Sequence, residues 1–273
     1  MTFPQSVGIT EDLTIHLVGE SHLGQYDRLS DGLERLLLTA GIAVWYTERP
    51  VERPTVGDYT AAAIRLPLYL IGMCVTQMLY GPLYALRAGT QQAVETEAVL
   101  EVASAHGVPT VPVDTHPSQL VPALSVGWFG LGWLGMVVSL AVAPVLIGVV
   151  TGWVVVYTSI LRILRRRRVA YETPLALLFG WGGLVAIVPL GVVPLAFSLG
   201  AFIVHGLVIR RTASSREAAM AQRVLSHISG TDHEAVCLTV GAAHLDGLAE
   251  QFDSYGVSTV RHTNLGDRGT ASG

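Results

Sequence analysis

Two long stretches without charge restrict what this chain can fold into more than any other feature of its sequence. The first, 117–161, contains no Asp, Glu, Arg, Lys or His, and the second, 173–209, has His205 as its only ionisable side chain. The hydrocarbon core of a bilayer is about 30 Å thick and takes an apolar helix of about 20 residues. Both stretches exceed that length, so the sequence predicts an integral membrane protein with the lipid bilayer as its first partner.

Each stretch is long enough for two short spans. The part 121–161 has Pro144 near its middle, and 173–209 has Gly191 near its middle. Proline and glycine both interrupt helices. We therefore predict an all-α transmembrane region made of two helical hairpins, with four spans in total. One long tilted helix in each stretch, giving two spans, is the alternative.

The arginines between the two stretches indicate the orientation. Arg162 and the run 165–168 carry five positive charges, and such loops stay on the cytoplasmic side. With four spans, both chain ends share that side. With two spans, about 120 N-terminal residues would be exported, although residues 1–12 show no basic or apolar region of a signal peptide. We therefore expect a cytoplasmic soluble domain.

Composition excludes several classes of function. Outside 117–172 the chain carries 12 arginines against 20 acidic residues, so an acidic surface argues against nucleic-acid binding. All 17 basic residues are arginine; Schiff-base chemistry and a Walker-type phosphate loop both need a lysine. Cys74 and Cys237 have neither CxxC nor zinc-finger spacing, and buried thiols are the simpler interpretation.

A third apolar stretch, 66–86, has 21 residues without a charge but contains Gln77, two prolines and three tyrosines. We predict a buried or membrane-apposed helix of the soluble domain here. Another span is the alternative, but an odd number of spans would place the two soluble parts of the chain on opposite sides of the membrane.

The soluble parts alternate between strand and helix patterns. This alternation predicts an α/β domain with a mostly parallel sheet, built from both ends of the chain. We place the N-terminal half of this domain at 1–120, the membrane insertion at 121–209, the C-terminal half at 210–265 and a flexible tail at 266–273. The predicted strands are 14–18, 42–47, 108–113, 235–240 and 257–261, and the predicted helices are 26–39, 90–106, 214–228 and 243–252.

Four polar residues follow predicted strands. They are His22, Glu48, Asp114 and His244, and both histidines stand in a Val-Gly-x-x-His-Leu frame. Parallel sheets gather their chemistry at the carboxyl ends of the strands, and two imidazoles with carboxylates suit zinc, manganese or iron. Taken singly, each histidine is more often structural and each acid more often a helix cap, so the prediction of a metal site depends on their coincidence.

The chain resembles the TraB/PrgY family, which belongs to a wider group with the TIKI, erythromycin-esterase-like and ChaN-like proteins. The resemblance covers 12–116 and 212–253. One difference is that spans are expected after the domain in that family, whereas here they interrupt it. The motifs that carry the resemblance are Gly19-Glu-Ser-His22, Thr47-Glu48-Arg49, Arg216-Glu-Ala-Ala-Met220-Ala221 and Gly241-Ala-Ala-His244.

The resemblance implies a metal-dependent, peptidase-like hydrolase, with PrgY-type members linked to limiting peptide pheromone activity. The ligands expected for the cation are His22, Glu48 and His244, with Asp114 as a fourth ligand or a partner of a histidine. Two catalytic residues complete this hypothesis. Glu20 is the expected general base and Arg216 the expected stabiliser of the oxyanion.

Two other functions stay open. A ligand- or haem-binding regulatory membrane protein could use the same pocket without turnover, as the ChaN-like relatives imply. A transporter is the third candidate, but His205 is the only ionisable residue in the second stretch, and an interfacial histidine is its simpler interpretation. A peptide or other small substrate is expected for the hydrolase, and the sequence leaves a homo-oligomer open.

Overall fold

The computed structural model describes residues 13–20, 25–88, 94–167, 172–263 and 265. The strands are β1 (Thr14–Glu20), β2 (Val44–Pro50), β3 (Thr110–Asp114), β4 (Ala235–Gly241) and β5 (Ser258–Thr263). The helices are α1 (Tyr26–Ala40), α2 (Val56–Arg65), α3 (Pro67–Ala88), α4 (Val94–Ala105), α5 (Pro117–Leu120), α6 (Val126–Val142), α7 (Pro144–Arg167), α8 (Glu172–Ala176), α9 (Gly182–Ile187), α10 (Val192–Ile228) and α11 (Leu245–Ser254).

The five strands form one sheet in the order β3-β2-β4-β1-β5, and each described pairing is parallel. The predicted α/β class and parallel sheet are therefore confirmed. β4, from the C-terminal part of the chain, lies between β1 and β2 from the N-terminal part. The two chain ends consequently build one sheet, as the alternation of strand and helix patterns predicts.

Local sequence explains where the elements begin and end. In β1 the alternate residues Ile15 and Leu17 are fully buried, which is the period-two pattern of a strand. Helix α1 buries Leu29 and Leu33 and ends where Gly41 takes a left-handed φ of 64°, a conformation that glycine adopts without steric cost.

The chain divides into two compact units. Unit 1 combines the described parts of Met1–Glu52, Ala93–Thr115 and Ala213–Gly273, and unit 2 those of Arg53–Gln92 and His116–Thr212. The predicted boundaries differ from this division in three places, because 53–92, 116–120 and 210–212 were predicted in the α/β domain and belong to unit 2. The apolar stretch 66–86, expected as a helix of the α/β domain, lies in α3 and belongs to unit 2. Its apolar surface packs with other apolar helices instead of the sheet.

Unit 1 has its core between the sheet and two helices. The C-terminal part of α10 places Met220, Val224 and Ile228 against the sheet, and α11 adds Leu248 and Phe252. The spacing of four residues in α10 puts these side chains on one face of the helix. Residue 216 lies one turn before Met220 on that same face, so this packing carries it to the carboxyl end of the sheet.

Unit 2 is an assembly of apolar helices with an apolar exterior. Its core contains Tyr69, Met78 and Phe197, among others. Its outside is apolar as well, since Val126, Val145 and Val192 are 74%, 76% and 80% exposed. A surface of this kind fits lipid contact better than contact with water.

Within the described residues, one helix, α10, is long and apolar enough to cross a membrane. The number rises to three if two bent pairs count as one span each: α2 with α3, bent by 119°, and Pro117–Ala123 with α6, bent by 105°. Both uncharged stretches are interrupted as predicted, before Pro144 and at Gly191, where φ is 103°. The interruptions leave shorter apolar helices at Pro144–Tyr157 and Pro174–Leu190, so the four predicted spans remain a prediction.

Close packing within unit 2 depends on Gly72 of α3. A Cβ at this position would lie 2.6 Å from the carbonyl carbon of Ala201 in α10. Only a hydrogen in place of a side chain lets the two helices approach this closely, which is a common device in membrane helix packing.

We expect Gly72→Ala to lower the apparent melting temperature of the detergent-purified protein by several degrees, because the added methyl group forces α3 away from α10. Gly200→Ala is the matched control, since a Cβ at Gly200 has no neighbour within 4 Å. Equal melting temperatures for the two variants would contradict this packing.

Candidate active site

The carboxyl ends of four strands place Glu20, Glu48, Asp114 and His244 at one edge of the sheet. The register pairs Glu20 of β1 with Gly241 of β4 and Pro50 of β2 with Asp114 of β3. The pairing of β2 with β3 shifts between Thr47 and Pro50. Glu48 lies in this irregular stretch, and irregularities of this kind turn a side chain away from the direction it would take in a regular strand.

Arg216 binds the two carboxylates that follow β2 and β3. Its Nε donates to Asp114 Oδ1 at 3.0 Å, and its Nη2 donates to Asp114 Oδ2 at 2.6 Å and to Glu48 Oε1 at 2.7 Å. Arg216 is buried, with 5% of the residue exposed. Burial opposes its charge, but the hydrogen bonds and charges of Asp114 and Glu48 raise the pKa of Arg216 above its ordinary value. The cation is therefore permanent.

Glu48 is held from three sides. Beside Arg216, the Gly241 amide donates to its Oε2 at 2.7 Å, and Nε2 of His244 lies 3.4 Å from its Oε1. Burial alone would raise the pKa of Glu48, but His244, Arg216 and the Gly241 amide together lower it to about 2. Glu48 is consequently a fixed, ionised carboxylate with defined positions for both oxygens.

His244 lies between two carboxylates and is 7% exposed. Its Nδ1 is 2.8 Å from Glu217 Oε1, on the side of the ring opposite the 3.4 Å contact with Glu48. Burial works against protonation, but Glu48 and then Glu217 raise the pKa of His244 above its ordinary value. A short turn after β4, Ala242–His244, sets the position of the ring.

Glu217 is the site residue that sequence reasoning missed. It directly follows Arg216 in the motif quoted for the family resemblance, and consecutive side chains on a helix point about 100° apart. Arg216 thus reaches Glu48 and Asp114 while Glu217 reaches His244. The signal was present in the sequence, because an acid next to a site arginine on an α-helix can reach the same edge of the sheet.

Glu20, the predicted general base, is 5% exposed and stands at the carboxyl end of β1. Its Oε1 accepts a hydrogen bond of 2.7 Å from the backbone amide of Leu265. The structure therefore places Glu20 at the predicted edge and fixes one of its oxygens. His22, the predicted ligand two residues later, lies outside the described residues.

The predicted metal ligands fit a cation only in part. A tetrahedral ion with bonds of about 2.0–2.2 Å places its ligand atoms about 3.3–3.6 Å apart. Glu48 Oε1 and His244 Nε2 meet this distance at 3.4 Å, but Arg216 already donates to Glu48 Oε1 at 2.7 Å and to both oxygens of Asp114. Over the described part of the chain, no group of three or more His, Cys, Asp or Glu side chains could hold a metal ion.

Acidic and basic groups both lie at this edge. The Arg216 guanidinium binds the carboxylates of Glu48 and Asp114. A second arginine of α10, Arg223, donates to the carbonyl of Val113, next to Asp114, at 2.8 Å.

Comparisons of the chain with protein-family models, with curated proteins and with solved structures found no match. The resemblance to the TraB/PrgY family therefore stays a prediction from the four motifs, and the geometry of this edge is what bears on function.

We expect Arg216→Met to destabilise the folded protein by about 3–5 kcal/mol, because methionine keeps much of the side-chain volume but leaves Asp114 and Glu48 buried without their cation. Chemical unfolding of the purified chain would measure the difference.

Arg261→Met is the matched control, because Arg261 also contacts an aspartate, Asp246, at 2.8 Å, but its side chain is 49% exposed. Its loss should cost no more than about 1 kcal/mol. Similar values for the two variants would show that the Arg216 ion pairs add no stability of their own.

Proposed function

We propose that this protein is a membrane-bound, metal-dependent hydrolase of the TraB/PrgY type that cleaves an amide or ester bond at the carboxyl edge of its sheet. The observation that carries this proposal is the setting of His244. One ring nitrogen faces Glu217 and the other faces Glu48 Oε1 at 3.4 Å. Metal-ligating histidines commonly have a carboxylate behind the ring, as Glu217 lies behind His244.

In this proposal Glu48 and His244 would hold the cation, with His22 as the third ligand expected from sequence. The cation, when bound, polarises the substrate carbonyl and lowers the pKa of water. Arg216 keeps Glu48 in place through its Nη2. Glu20 accepts the proton of the attacking water, with its Oε1 anchored by the Leu265 amide.

Arg216 has donors left for the oxyanion role predicted from sequence. Its Nε and Nη2 are used by Asp114 and Glu48, while Nη1 makes no hydrogen bond to a residue that the structure describes. Two N–H groups on Nη1 are therefore available to a developing negative charge. The proposed substrate is a peptide or another small amide or ester.

We expect detergent-purified protein to contain zinc, manganese or iron near one equivalent per chain, and His22→Ala, Glu48→Gln and His244→Ala each to lose most of it, because each removes a proposed ligand. Elemental analysis measures the content. His106→Ala is the control, since His106 is also paired with a glutamate, Glu34, at 2.8 Å, but away from this edge.

Full metal content in all three ligand variants would overturn the proposed site. A haem-binding or other regulatory role is the second candidate. It is favoured because Arg216 binds both oxygens of Asp114, so that this predicted ligand is not available to a cation. It predicts folded wild-type protein without stoichiometric metal, and for haem a Soret absorption band that disappears in His244→Ala.

The sheet also constrains the membrane topology. All five strands belong to one sheet, so they lie on one side of any bilayer. The chain must therefore cross an even number of times between β2 and β3, and again between β3 and β4. A single crossing by α10 does not meet this condition, and we propose that α6, α7 and the helices of 174–190 supply the other crossings to give four.

Between β2 and β3 the same condition applies to α2 and α3. Helix α2 has 10 residues and α3 has 22, which are about 15 Å and 33 Å long. Only α3 could cross the core alone, and one crossing is an odd number. We therefore propose that the pair, bent by 119°, enters and leaves on the same side.

We expect topology reporters inserted at residue 90, inserted after Arg168 and fused after Gly273 to report the cytoplasmic side together, because the sheet and the arginine run share it. Activity in intact cells measures each position. A reporter at residue 90 on the opposite side would contradict the re-entrant pair, and opposite sides for the other two would support two spans.

A further inference from the structure

Unit 2 carries a large excess of positive charge. Its sequence, 53–92 and 116–212, has ten arginines and two acidic residues, Asp58 and Glu172. The rest of the chain has seven arginines and 19 acidic residues, so the opposite balance holds in unit 1. Arginines beside apolar helices attract the negative headgroups of the cytoplasmic leaflet. An apolar unit with this charge therefore favours contact with anionic lipids.

Two bends in unit 2 meet at Arg65. Helices α2 and α3 are bent by 119° where Arg65 ends α2, and Pro117–Ala123 and α6 are bent by 105°. Nη2 of Arg65 donates to the carbonyl of Leu124, which lies in the second bend. Trp133 of α6 donates to the carbonyl of Ile64 at 2.8 Å. These two hydrogen bonds join one bend to the other.

The bends indicate that Arg65 lies at the membrane surface. Helix α2 and the segment Pro117–Ala123 are too short to cross a hydrocarbon core of about 30 Å. When the apolar helices α3 and α6 run along the bilayer normal, the bends turn both short segments toward the membrane plane. Short amphipathic segments lie there among the headgroups. Tryptophan and arginine side chains such as Trp133 and Arg65 are typical of the same level.

Arg65 forms no ion pair with the residues that the structure describes. The residue is half-buried, its Cζ lies 5.7 Å from the centre of the Phe129 ring, and its buried Nε has no hydrogen-bond partner among those residues. Asp58 is the only acid in 53–92. It lies seven residues earlier, which is about 10 Å along the axis of α2, and its carboxylate accepts hydrogen bonds from Thr55. The Arg65 charge is therefore available to a negative group from outside the chain.

We propose that Arg65 binds the phosphate of an anionic glycerophospholipid at the surface of the membrane. A guanidinium has five N–H donors in a planar fork that matches a phosphate, and the hydrogen bond to Leu124 uses one of them. The exposed side chains of Ile64 and Phe129, on either side of Arg65, provide apolar surface for the acyl chains. This site belongs to unit 2 alone and does not depend on any reaction at the sheet edge.

A zwitterionic lipid fits this place less well. Its headgroup carries an ammonium group beside the phosphate, and the positive charge of unit 2 repels that group. An aromatic ring could attract the ammonium, but Arg65 already lies over the Phe129 ring. The charge of the headgroup should therefore decide which lipid is bound.

The test is native mass spectrometry of detergent-purified, full-length protein equilibrated with equal amounts of phosphatidylglycerol and phosphatidylcholine of the same acyl chains. The wild type should retain one phosphatidylglycerol in preference to phosphatidylcholine by about fivefold, the usual effect of one arginine beside anionic lipid. Arg65→Gln should lose this preference because the charge is removed, and Arg65→Lys should keep part of it. Arg53→Gln is the matched control, because Arg53 is an exposed arginine of the same unit.

Two outcomes of this experiment overturn the proposal. The first is equal retention of the two lipids by the wild type. The second is a preference that Arg65→Gln and Arg53→Gln lower to the same extent, because binding would then follow the total charge of unit 2. Glycerol phosphate, which has the phosphate without acyl chains, is added in large excess as a third arm. Phosphatidylglycerol should stay bound, and its displacement would show that the site takes a free phosphate compound instead of a lipid.

A second measurement locates the lipid without any variant, in case Arg65→Gln does not fold. Phosphatidylglycerol with a photoactivatable group in its headgroup is cross-linked to the wild-type protein, and the labelled peptides are identified by mass spectrometry. Labelling within 62–68 or 122–133, the two bends and the start of α6, supports the proposal. Labelling confined to other parts of the chain overturns it.

Discussion

The pairing of β4 with both β1 and β2 is the constraint on which the other features of this protein depend. It inserts a strand from the end of the chain between two strands from its beginning. The helix that precedes β4 must then lie on the same sheet, which brings Arg216 to Glu48 and Asp114. The turn that follows β4 brings His244 to the same edge. The site therefore exists only because the chain returns to the sheet after its apolar helices.

Sequence patterns were sufficient for the architecture of unit 1. All five predicted strands are present, and the alternation with helices correctly predicted a parallel sheet. The strand-end positions of Glu48 and Asp114 followed from the same pattern, because the carboxyl ends of parallel strands lie at one edge whatever the strand order. The strand order itself was not predictable, since it depends on packing between segments far apart in sequence.

The remaining features were decided by contacts that no local pattern encodes. The bonding of both Asp114 oxygens to Arg216 takes that acid away from the predicted cation, and only the positions of side chains from two distant segments show it. For Glu217, the position next to Arg216 is visible in the sequence, but its partner is not, since His244 is 27 residues away. The membership of α3 in unit 2 follows from its packing with other apolar helices, which hydropathy alone does not predict.

The strand order has a consequence for how the protein is made. The neighbours of β1 are β4 and β5, and β4 begins roughly 210 residues after β1 ends. At a synthesis rate of about 5–20 residues per second, β1 waits for about 10–40 s before either partner leaves the ribosome. During that time the apolar helices are already being inserted into the membrane while the first strand has both edges unpaired. The sheet can therefore close only as the last part of the sequence is made.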